Sequence, residues 1–210
     1  FKGDNMTKEK FVRPVTYTGL KTTLGPVDQE NDIQYLWKWI NDPAVAKFTL
    51  QSWPVHLYAE KEYVEKIHQR SSDVIFAIST LEGEFIGMMG LHNISLIHGT
   101  ATSGALIGES KFRGQHLGRD AKMLLLYHAF QILGLRKVCS AVKGFNKPSQ
   151  IYLDANGYKK EWVREKMFYF EGEYHDEIFF SISREDFLPR WSDYTDKLAK
   201  VKSKSKKGRK

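Results

Sequence analysis

The sequence contains a single cysteine, Cys139, in 210 residues, so no disulfide can form within the chain. Long apolar runs are also missing, because no uninterrupted stretch approaches the roughly 20 residues that a membrane-spanning helix needs. No signal peptide is recognisable at the start, and the histidines are too scattered to suggest a metal site. These absences favour a cytoplasmic protein that has no bound metal and no membrane contact.

An excess of positive charge is confined to the last residues of the chain. The formal net charge is +7, yet residues 197–210 hold eight basic side chains and no acidic one. The other residues hold 24 basic side chains against 25 acidic ones, so the body of the protein is close to neutral. We expect residues 189–210 to form a basic, disordered tail, because a Ser/Gly/Lys run cannot bury apolar area. Such a tail serves solubility, or it contacts nucleic acid or a ribosome through electrostatic attraction.

The rest of the composition is that of one globular domain. Hydrophobic residues make up 41% of the chain and aromatic residues 13%, and 210 residues are enough to bury a core. Apolar periodicity and turn residues predict the element order β-α-α-β-β-β-α-β-α-β-β, in which the last two strands form a hairpin.

The most informative feature is a loop with two glycines between a strand and a helix. A strand-like run, Ala101 to Gly108, leads into Glu109-Ser-Lys-Phe-Arg113-Gly114-Gln-His-Leu-Gly118-Arg119, and an apolar helical face follows. This arrangement presents unpaired backbone N–H groups at the positive end of a helix dipole, which suits a phosphate. A glycine loop alone is also typical of an ordinary strand-to-helix turn.

Three motifs, in this order, resemble the GNAT superfamily of acetyl-CoA-dependent N-acetyltransferases. The run Arg113-Gly-Gln-His116-Leu-Gly118 is similar to the family pattern Gln/Arg-x-x-Gly-x-Gly/Ala, with His116 in place of the first glycine. Asn146-x-x-Ser149 matches Asn-x-x-Ser/Ala, and Asn156-Gly157-Tyr158 resembles the Leu-Gly-Phe ending. The similarity runs from about Leu20 to about Phe187. It is strongest to the branch that holds spermidine, ribosomal-protein N-terminal and amino-sugar N-acetyltransferases.

The resemblance implies an α/β GNAT fold over residues 20–188, after an N-terminal extension of residues 1–19. That fold has a mixed, strongly twisted sheet of about seven strands with helices on both faces. The resemblance also implies acetyl-CoA as cosubstrate. Its binding residues would be Leu106, Ile107, Gly108, Arg113, Gly114, Gln115, His116, Leu117, Gly118, Arg119, Asn146 and Ser149. Two of these have an alternative role, because Asn146 suits an Asx turn and Ser149 suits a helix cap.

The catalytic residues are less well determined by the resemblance. Glu109, just after the strand, and His92, at the end of the strand before it, could each act as general base. Many family members protonate the leaving thiolate with a tyrosine at the position that Leu153 holds here. Tyr152 is one residue earlier, which turns its side chain by about 100° around a helix. Tyr152 is therefore either a general acid in a slightly rewound helix or a packing residue.

The acceptor predicted from the resemblance is a primary amine of a polyamine, an amino sugar or a protein N-terminus, which attacks the thioester directly. The family builds the acceptor site from the first two helices and the last hairpin. Here those elements carry Trp37, Trp39, Trp53, Tyr58, Tyr169 and Tyr174, near Glu60, Glu62, Glu171, Glu173 and Asp176. The chain could also form a homodimer. Two alternatives stay open: a catalytically degenerate acyl-CoA-binding or sensing module, and a ribosome- or RNA-associated protein that uses its tail.

Overall fold

A computed structural model of the chain describes residues 11–49 and 53–207. The strands are β1 (Tyr17–Thr18), β2 (Thr22–Gly25), β3 (Val74–Thr80), β4 (Phe85–Ser95), β5 (Thr100–Ile107), β6 (Lys137–Lys143), β7 (Lys159–Phe170) and β8 (Glu173–Ser183). The helices are α1 (Gln29–Asn41), α2 (Pro43–Ala46), α3 (Leu57–Gln69), α4 (Leu117–Tyr127), α5 (Lys147–Ala155) and α6 (Arg184–Lys207). A 3₁₀ turn spans Ser110–Phe112, and a π-helical turn, His128–Ile132, continues α4.

The strands form one mixed sheet in the order β1-β2-β3-β4-β5-β6-β8-β7. Successive side chains of a strand point to opposite faces, and each face has its own core. On β3, Phe76 and Ile78 belong to the larger core together with residues of α4 and α6, whereas Ile75 and Ala77 contact the smaller core beneath α1 and α3. Helices therefore lie on both faces, which confirms the predicted α/β fold, with eight strands in place of about seven.

Local sequence signals explain where the helices begin. The Asp28 carboxylate accepts a hydrogen bond from the Asn31 N–H at 2.7 Å, as an N-cap does. Pro43 opens α2, and Pro148 lies in the first turn of α5, where a missing N–H costs nothing. These signals set the first residues of α1, α2 and α5.

The domain begins earlier than the predicted extension allows. The Arg13 guanidinium donates to the Asp32 carboxylate at 2.8 Å and to the Pro26 carbonyl at 2.6 Å, and β1 pairs with β2. The described part of the segment 1–19 therefore belongs to the domain. The arginine and the acid lie far apart in the sequence, so no local pattern shows their pairing. Residues 1–10 lie outside the described residues.

The predicted disordered tail is wrong for its first part. Phe187, Trp191 and Tyr194 recur at helical spacing on α6 and pack against the larger core. Trp191 stacks on Tyr127 with ring centres 4.6 Å apart. This apolar face is hard to recognise in the sequence because a lysine-rich segment follows it. Residues 208–210 lie outside the described residues, and no described helix has both the length and the apolar character needed to cross a membrane.

Tyr194 also connects α6 to α4. Its hydroxyl donates to the Asp120 carboxylate of α4 at 2.7 Å. Asp120 in turn accepts from the N–H groups of Leu20, Lys21 and Thr22 at 3.1, 3.0 and 2.9 Å. One buried carboxylate therefore joins α4, α6 and the turn before β2.

Candidate coenzyme site and catalytic groups

Strands β5 and β6 run parallel but separate after three residue pairs. The last pair is Thr102 with Cys139, and within the described ranges no strand lies along the β6-facing edge of β5 beyond it. The other edge of β5 stays paired with β4 as far as Ile107, which lies opposite Gly87. The last residues of β5 therefore keep one edge open, and an extended ligand can pair with such an edge as an added strand.

The ladder between β4 and β5 decides which backbone groups face this opening. The Gly108 N–H donates to the Ile86 carbonyl at 3.0 Å. Because hydrogen-bonded pairs alternate along an antiparallel ladder, the backbone groups of Leu106 also turn toward β4. Those of Ala105 and Ile107 turn toward the opening. Of the three strand residues predicted for coenzyme binding, only Ile107 thus offers its backbone to a ligand, and Ala105 joins it.

The end of β5 is closed on the α1 side by a tryptophan. A side chain at Gly108 would lie within 2.0 Å of the Trp39 indole, so only glycine fits. The Trp39 Nε1–H and the Lys38 Nζ donate to Glu109 Oε1 at 3.1 and 2.8 Å. The Lys38 hydrogen bond and the Trp39 hydrogen bond hold the pKa of Glu109 below its usual value. Glu109 is therefore ionised but already committed to two donors, which weakens it as a general base.

The loop before α4 contains two residues with a left-handed backbone conformation. Gly114 has φ 73°, and His116 has φ 64° and ψ 11°, in the left-handed region. His116 thus adopts the conformation for which the family uses glycine. No side chain caps α4, and none of the described residues accepts a hydrogen bond from the N–H groups of residues 115–119. These groups lie at the positive end of the helix, where anions bind.

Some side chains of the loop make contacts within the protein, and others are exposed to solvent. The Arg113 guanidinium donates to the carbonyls of Ile107 and Gly108 at 3.2 and 2.7 Å, so it joins the loop to the end of β5. Its predicted phosphate contact would require it to leave these carbonyls. The Gln115 carbonyl accepts from Lys21 Nζ at 3.1 Å. Leu117 is buried in the core and Arg119 is exposed on the first turn of α4.

Asn146 caps α5, as its alternative interpretation predicted. Its Oδ1 accepts from the Ser149 N–H at 3.2 Å. The cap uses only the amide oxygen, so the amide N–H₂ stays available to a ligand. Both predicted roles of Asn146 are therefore compatible. Ser149 contributes its backbone N–H to this cap and lies in the first turn of the helix.

Tyr152 points toward the loop despite its shifted place. Its Cε2 lies 3.6 Å from the position of a Cβ at Gly118, whereas the next residue, Leu153, is in the core with 1% of its surface exposed. The Tyr152 hydroxyl oxygen is buried and has no hydrogen-bond partner. Burial, with a contribution from Tyr158, raises the pKa of this hydroxyl well above its usual value. The group is a neutral donor at pH 7 that has no acceptor within the described chain.

His92 lies on the α1 and α3 face of the sheet and has an acidic partner. Its Nδ1 is 3.5 Å from Asp73 Oδ2. Burial would raise the pKa of Asp73, but hydrogen bonds from the Asn93 N–H and from His92 outweigh it and lower that pKa. The other ring nitrogen, Nε2, lies 3.6 Å from the position of a Cβ at Gly104, in the part of β5 that has parted from β6. An acid that holds Nδ1 leaves Nε2 to accept a proton.

A pocket of about 500 Å³ adjoins Glu109, between α1 and the β3–β4 turn. Its other two carboxylates are already paired, Asp32 with Arg13 and Glu84 with Lys111. Because every carboxylate of the pocket has a cationic partner, the pocket has little unbalanced negative charge for a polyamine.

The aromatic residues predicted around the acceptor do not form one group. Trp39 is buried, whereas the others are exposed at the surface: Trp37, Trp53, Tyr58, Tyr169 and Tyr174. A different aromatic cluster faces the end of β6. Phe145 stacks on Phe170 with ring centres 4.8 Å apart and contacts His175 at 4.8 Å. Sequence reasoning missed this cluster because its members come from a loop and from both strands of the last hairpin.

Comparison with known proteins agrees with this geometry. The family model described as acetyltransferase (GNAT) domain matches residues 21–159, about two thirds of the chain. The chain belongs to the GNAT acetyltransferase family. The fold and enzyme class predicted from the three motifs are thereby confirmed, and this GNAT protein is an acetyltransferase.

Individual relatives are more distant. The SPbeta prophage-derived uncharacterized N-acetyltransferase YokL of Bacillus subtilis is 25% identical over 174 residues, which cover 82% of this GNAT protein and 96% of YokL. The spermidine N-acetyltransferase of Vibrio cholerae, solved in complex with CoA and spermine, has a TM-score of 0.74 and 20% identity, with 80% and 98% of the two chains covered. A GNAT-family acetyltransferase of Bacillus anthracis has a TM-score of 0.69 and 16% identity over 80% and 98%. The solved structures are similar in fold.

Proposed function

We propose that this protein transfers the acetyl group of acetyl-CoA to a primary amine. The observation that carries the proposal is the open edge of β5 beside the uncapped N-terminus of α4. The free N–H groups of residues 115–119 would hold the diphosphate. The backbone of Ala105 and the N–H of Ile107 would pair with the pantetheine arm, since the Ile107 carbonyl already accepts from Arg113. The free amide nitrogen of Asn146 supplies one more donor.

The residues around the opening account for each step of the transfer. One backbone N–H at this open edge polarises the thioester carbonyl, as a donor of an oxyanion hole does. His92 Nε2 takes the proton from the attacking amine, directly or through one water, while Asp73 holds Nδ1. Tyr152 donates its proton to the leaving thiolate. Its buried hydroxyl without a partner fits a group whose acceptor arrives with the substrate.

His92 is preferred over Glu109 as the base because of their partners. The carboxylate of Glu109 already accepts from Lys38 and Trp39, and its pKa is lowered. Protonation of Glu109 would remove the negative charge that the Lys38 ammonium group and the Trp39 N–H stabilise. Protonation of His92 would instead strengthen its interaction with Asp73, which lies 3.5 Å away.

The acceptor class remains a primary amine of a polyamine, an amino sugar or a protein N-terminus. The Vibrio cholerae relative binds spermine, but the pocket near Glu109 has its carboxylates paired. Release of free coenzyme A, measured with a panel of these three amine types, tests the proposal. Binding of acetyl-CoA with no release on any amine would favour the acyl-CoA-binding module, and absence of binding would refute the site itself.

Two variants test the coenzyme site. Gly118→Val should weaken acetyl-CoA binding severely, because a branched side chain would crowd Ile107, Tyr152 and the approaching phosphate. Asn146→Ala should cost roughly 1 kcal/mol of binding, the scale of one hydrogen bond. Asn146→Asp is the matched control for capping, since it keeps the oxygen that caps α5 while it replaces the amide donor with a negatively charged acceptor. An Asn146→Asp protein that binds acetyl-CoA as tightly as the parent would remove Asn146 from the site.

A further inference from the structure

Lys122, in the second turn of α4, is buried, with 1% of its surface exposed. Its side-chain nitrogen makes no hydrogen bond or ion pair with any residue that the structure describes. Instead Nζ lies 5.6 Å from the ring centre of Tyr152 and 5.7 Å from that of Tyr158. Burial lowers the pKa of Lys122 from 10.5 to about 7. A buried charge without an anionic partner is costly, so the amine is partly uncharged at neutral pH.

Helix geometry connects Lys122 with the loop before α4. Lys122 follows Gly118 by one turn, so the two residues share a face of α4. Side chains of a helix lean toward its N-terminus, and the stem of Lys122 therefore runs toward the Gly118 turn. The Tyr152 ring, which contacts this turn at 3.6 Å, is also the ring beside Nζ. The Tyr152 ring therefore lies between the Gly118 turn and the amine of Lys122 as their shared neighbour.

The groups that face Lys122 bring no negative charge at neutral pH. Tyr152 of α5 and Tyr158, just before β7, have pKa values raised by burial, and the Tyr158 hydroxyl is 2.8 Å from Ser103 Oγ. Behind Tyr158, burial also raises the pKa of the Cys139 thiol on β6.

Charged groups on the neighbouring elements are turned elsewhere or are cationic. Asp120, on α4 itself, turns to the backbone before β2 and to Tyr194. On α6, Arg190 packs against Gly157. The free protein therefore holds a buried amine near an anion site with no described anion to neutralise it.

We propose that Lys122 is a coenzyme-linked proton acceptor, which takes up a proton when the phosphate groups of coenzyme A occupy the loop. The proposal rests on the coenzyme site proposed above. A nearby anion in a poorly hydrated site favours the charged form of an amine. The protonated Lys122 then supplies a counter-charge near the loop, where Arg113 is engaged with the carbonyls of Ile107 and Gly108.

The size of the effect follows from Coulomb's law. At an effective dielectric constant of about 20, one negative charge about 10 Å away raises a lysine pKa by about one unit. Since the bound state then has the higher pKa, coenzyme affinity is highest at low pH. It should fall by about tenfold as the pH rises from about 6 to about 9. At pH 7.5 each bound coenzyme should bring about half a proton into the protein.

Proton uptake can be measured directly by titration calorimetry at pH 7.5, with coenzyme A as the probe, in buffers of different ionisation enthalpy. Lys122→Met keeps the length and volume of the side chain and should lower the uptake by about half a proton. Lys111→Met is the control, because Lys111 is an exposed lysine close to the loop and pairs with Glu84. It should leave the uptake unchanged.

The outcomes separate this inference from the function proposed above. Coenzyme binding with equal proton uptake in the parent and in Lys122→Met would overturn the role of Lys122 and leave the site standing. No binding of coenzyme A to the parent would overturn both. If Lys122→Met does not fold, the titration of dimethylated lysines by NMR in the parent decides: a Lys122 signal whose midpoint does not rise with coenzyme A overturns the inference.

Discussion

Replacement of Lys122 by methionine should make the protein more stable, by an amount that depends on pH. In the folded protein the pKa of Lys122 is about 7, whereas its usual value is 10.5. Between these two values the unfolded chain holds a proton that the folded chain has released, so the stability of the parent rises with pH over this window. Below pH 7 the folded protein carries the full penalty of the buried charge. Lys122→Met removes that penalty.

The magnitude follows from the width of the window. Each pH unit corresponds to about 1.4 kcal/mol, which gives an upper limit of about 5 kcal/mol for the whole shift. Relaxation around the charged amine and entry of water reduce this, and we expect a gain of about 2–3 kcal/mol at pH 6. The gain should shrink by up to about 1.4 kcal/mol per pH unit above pH 7. At pH 10, half a unit below the usual pKa of 10.5, the ionisation contribution should have fallen to below about 1 kcal/mol, and any larger difference there reports packing.

Urea unfolding of the parent and of Lys122→Met at pH 6, 7, 8, 9 and 10 measures this directly, because the titration of all other groups cancels in the difference. Lys111→Met removes an exposed lysine and should change the free energy of unfolding by no more than about 1 kcal/mol, with no trend between pH 6 and 9. A Lys122→Met difference that stays constant from pH 6 to 10, or a variant less stable than the parent at pH 6, would refute the reasoning.

Three further predictions concern the loop, the general acid and the tail. His116→Gly should raise the free energy of unfolding by about 1 kcal/mol in urea unfolding, since a left-handed backbone strains a side chain, whereas His116→Val should lower it; equal effects would contradict the strain. Tyr152→Phe should lower kcat by about 10² or more and leave acetyl-CoA affinity nearly unchanged, because general acid catalysis contributes on this scale; a kcat within about threefold would assign Tyr152 to packing. Deletion of residues 197–210, beyond the Tyr194 anchor, should leave turnover on a small amine within about twofold while RNA affinity falls sharply. A large loss of turnover would show that the tail acts at the site.

The fold could be predicted from the sequence because its signals are local. Asp28 caps α1 through a residue three positions away, and Pro148 marks the start of α5. The loop before α4 was recognisable from a strand, two glycines and an apolar helix within a short segment. The predicted end of the domain was too early. The lysine-rich composition of the last residues indicated disorder, although three aromatic residues of α6 pack against the core.

The site was less predictable because its decisive contacts join distant residues. The partners of Glu109 lie about 70 residues earlier, in α1, so the sequence offered a free carboxylate where the structure has a paired one. Asp73 lies on the loop before β3, and nothing in the sequence ties it to His92. Glu109, next to the loop, is therefore occupied by Lys38 and Trp39. Asp73, which is distant from the loop in the sequence, instead contacts His92, the proposed base.

Departures from the family pattern carry information only when the backbone is known. The family pattern has a glycine at the position of His116, and the left-handed conformation of His116 is one that glycine adopts freely. The shift of the tyrosine to position 152 suggested a lost general acid, yet its ring contacts the Gly118 turn because Leu153 fills the core. Nothing in the sequence distinguishes Lys122 from the other lysines of the chain. Its burial between two tyrosines, one of which contacts the Gly118 turn, is the basis for the proposal that its proton reports what occupies the loop.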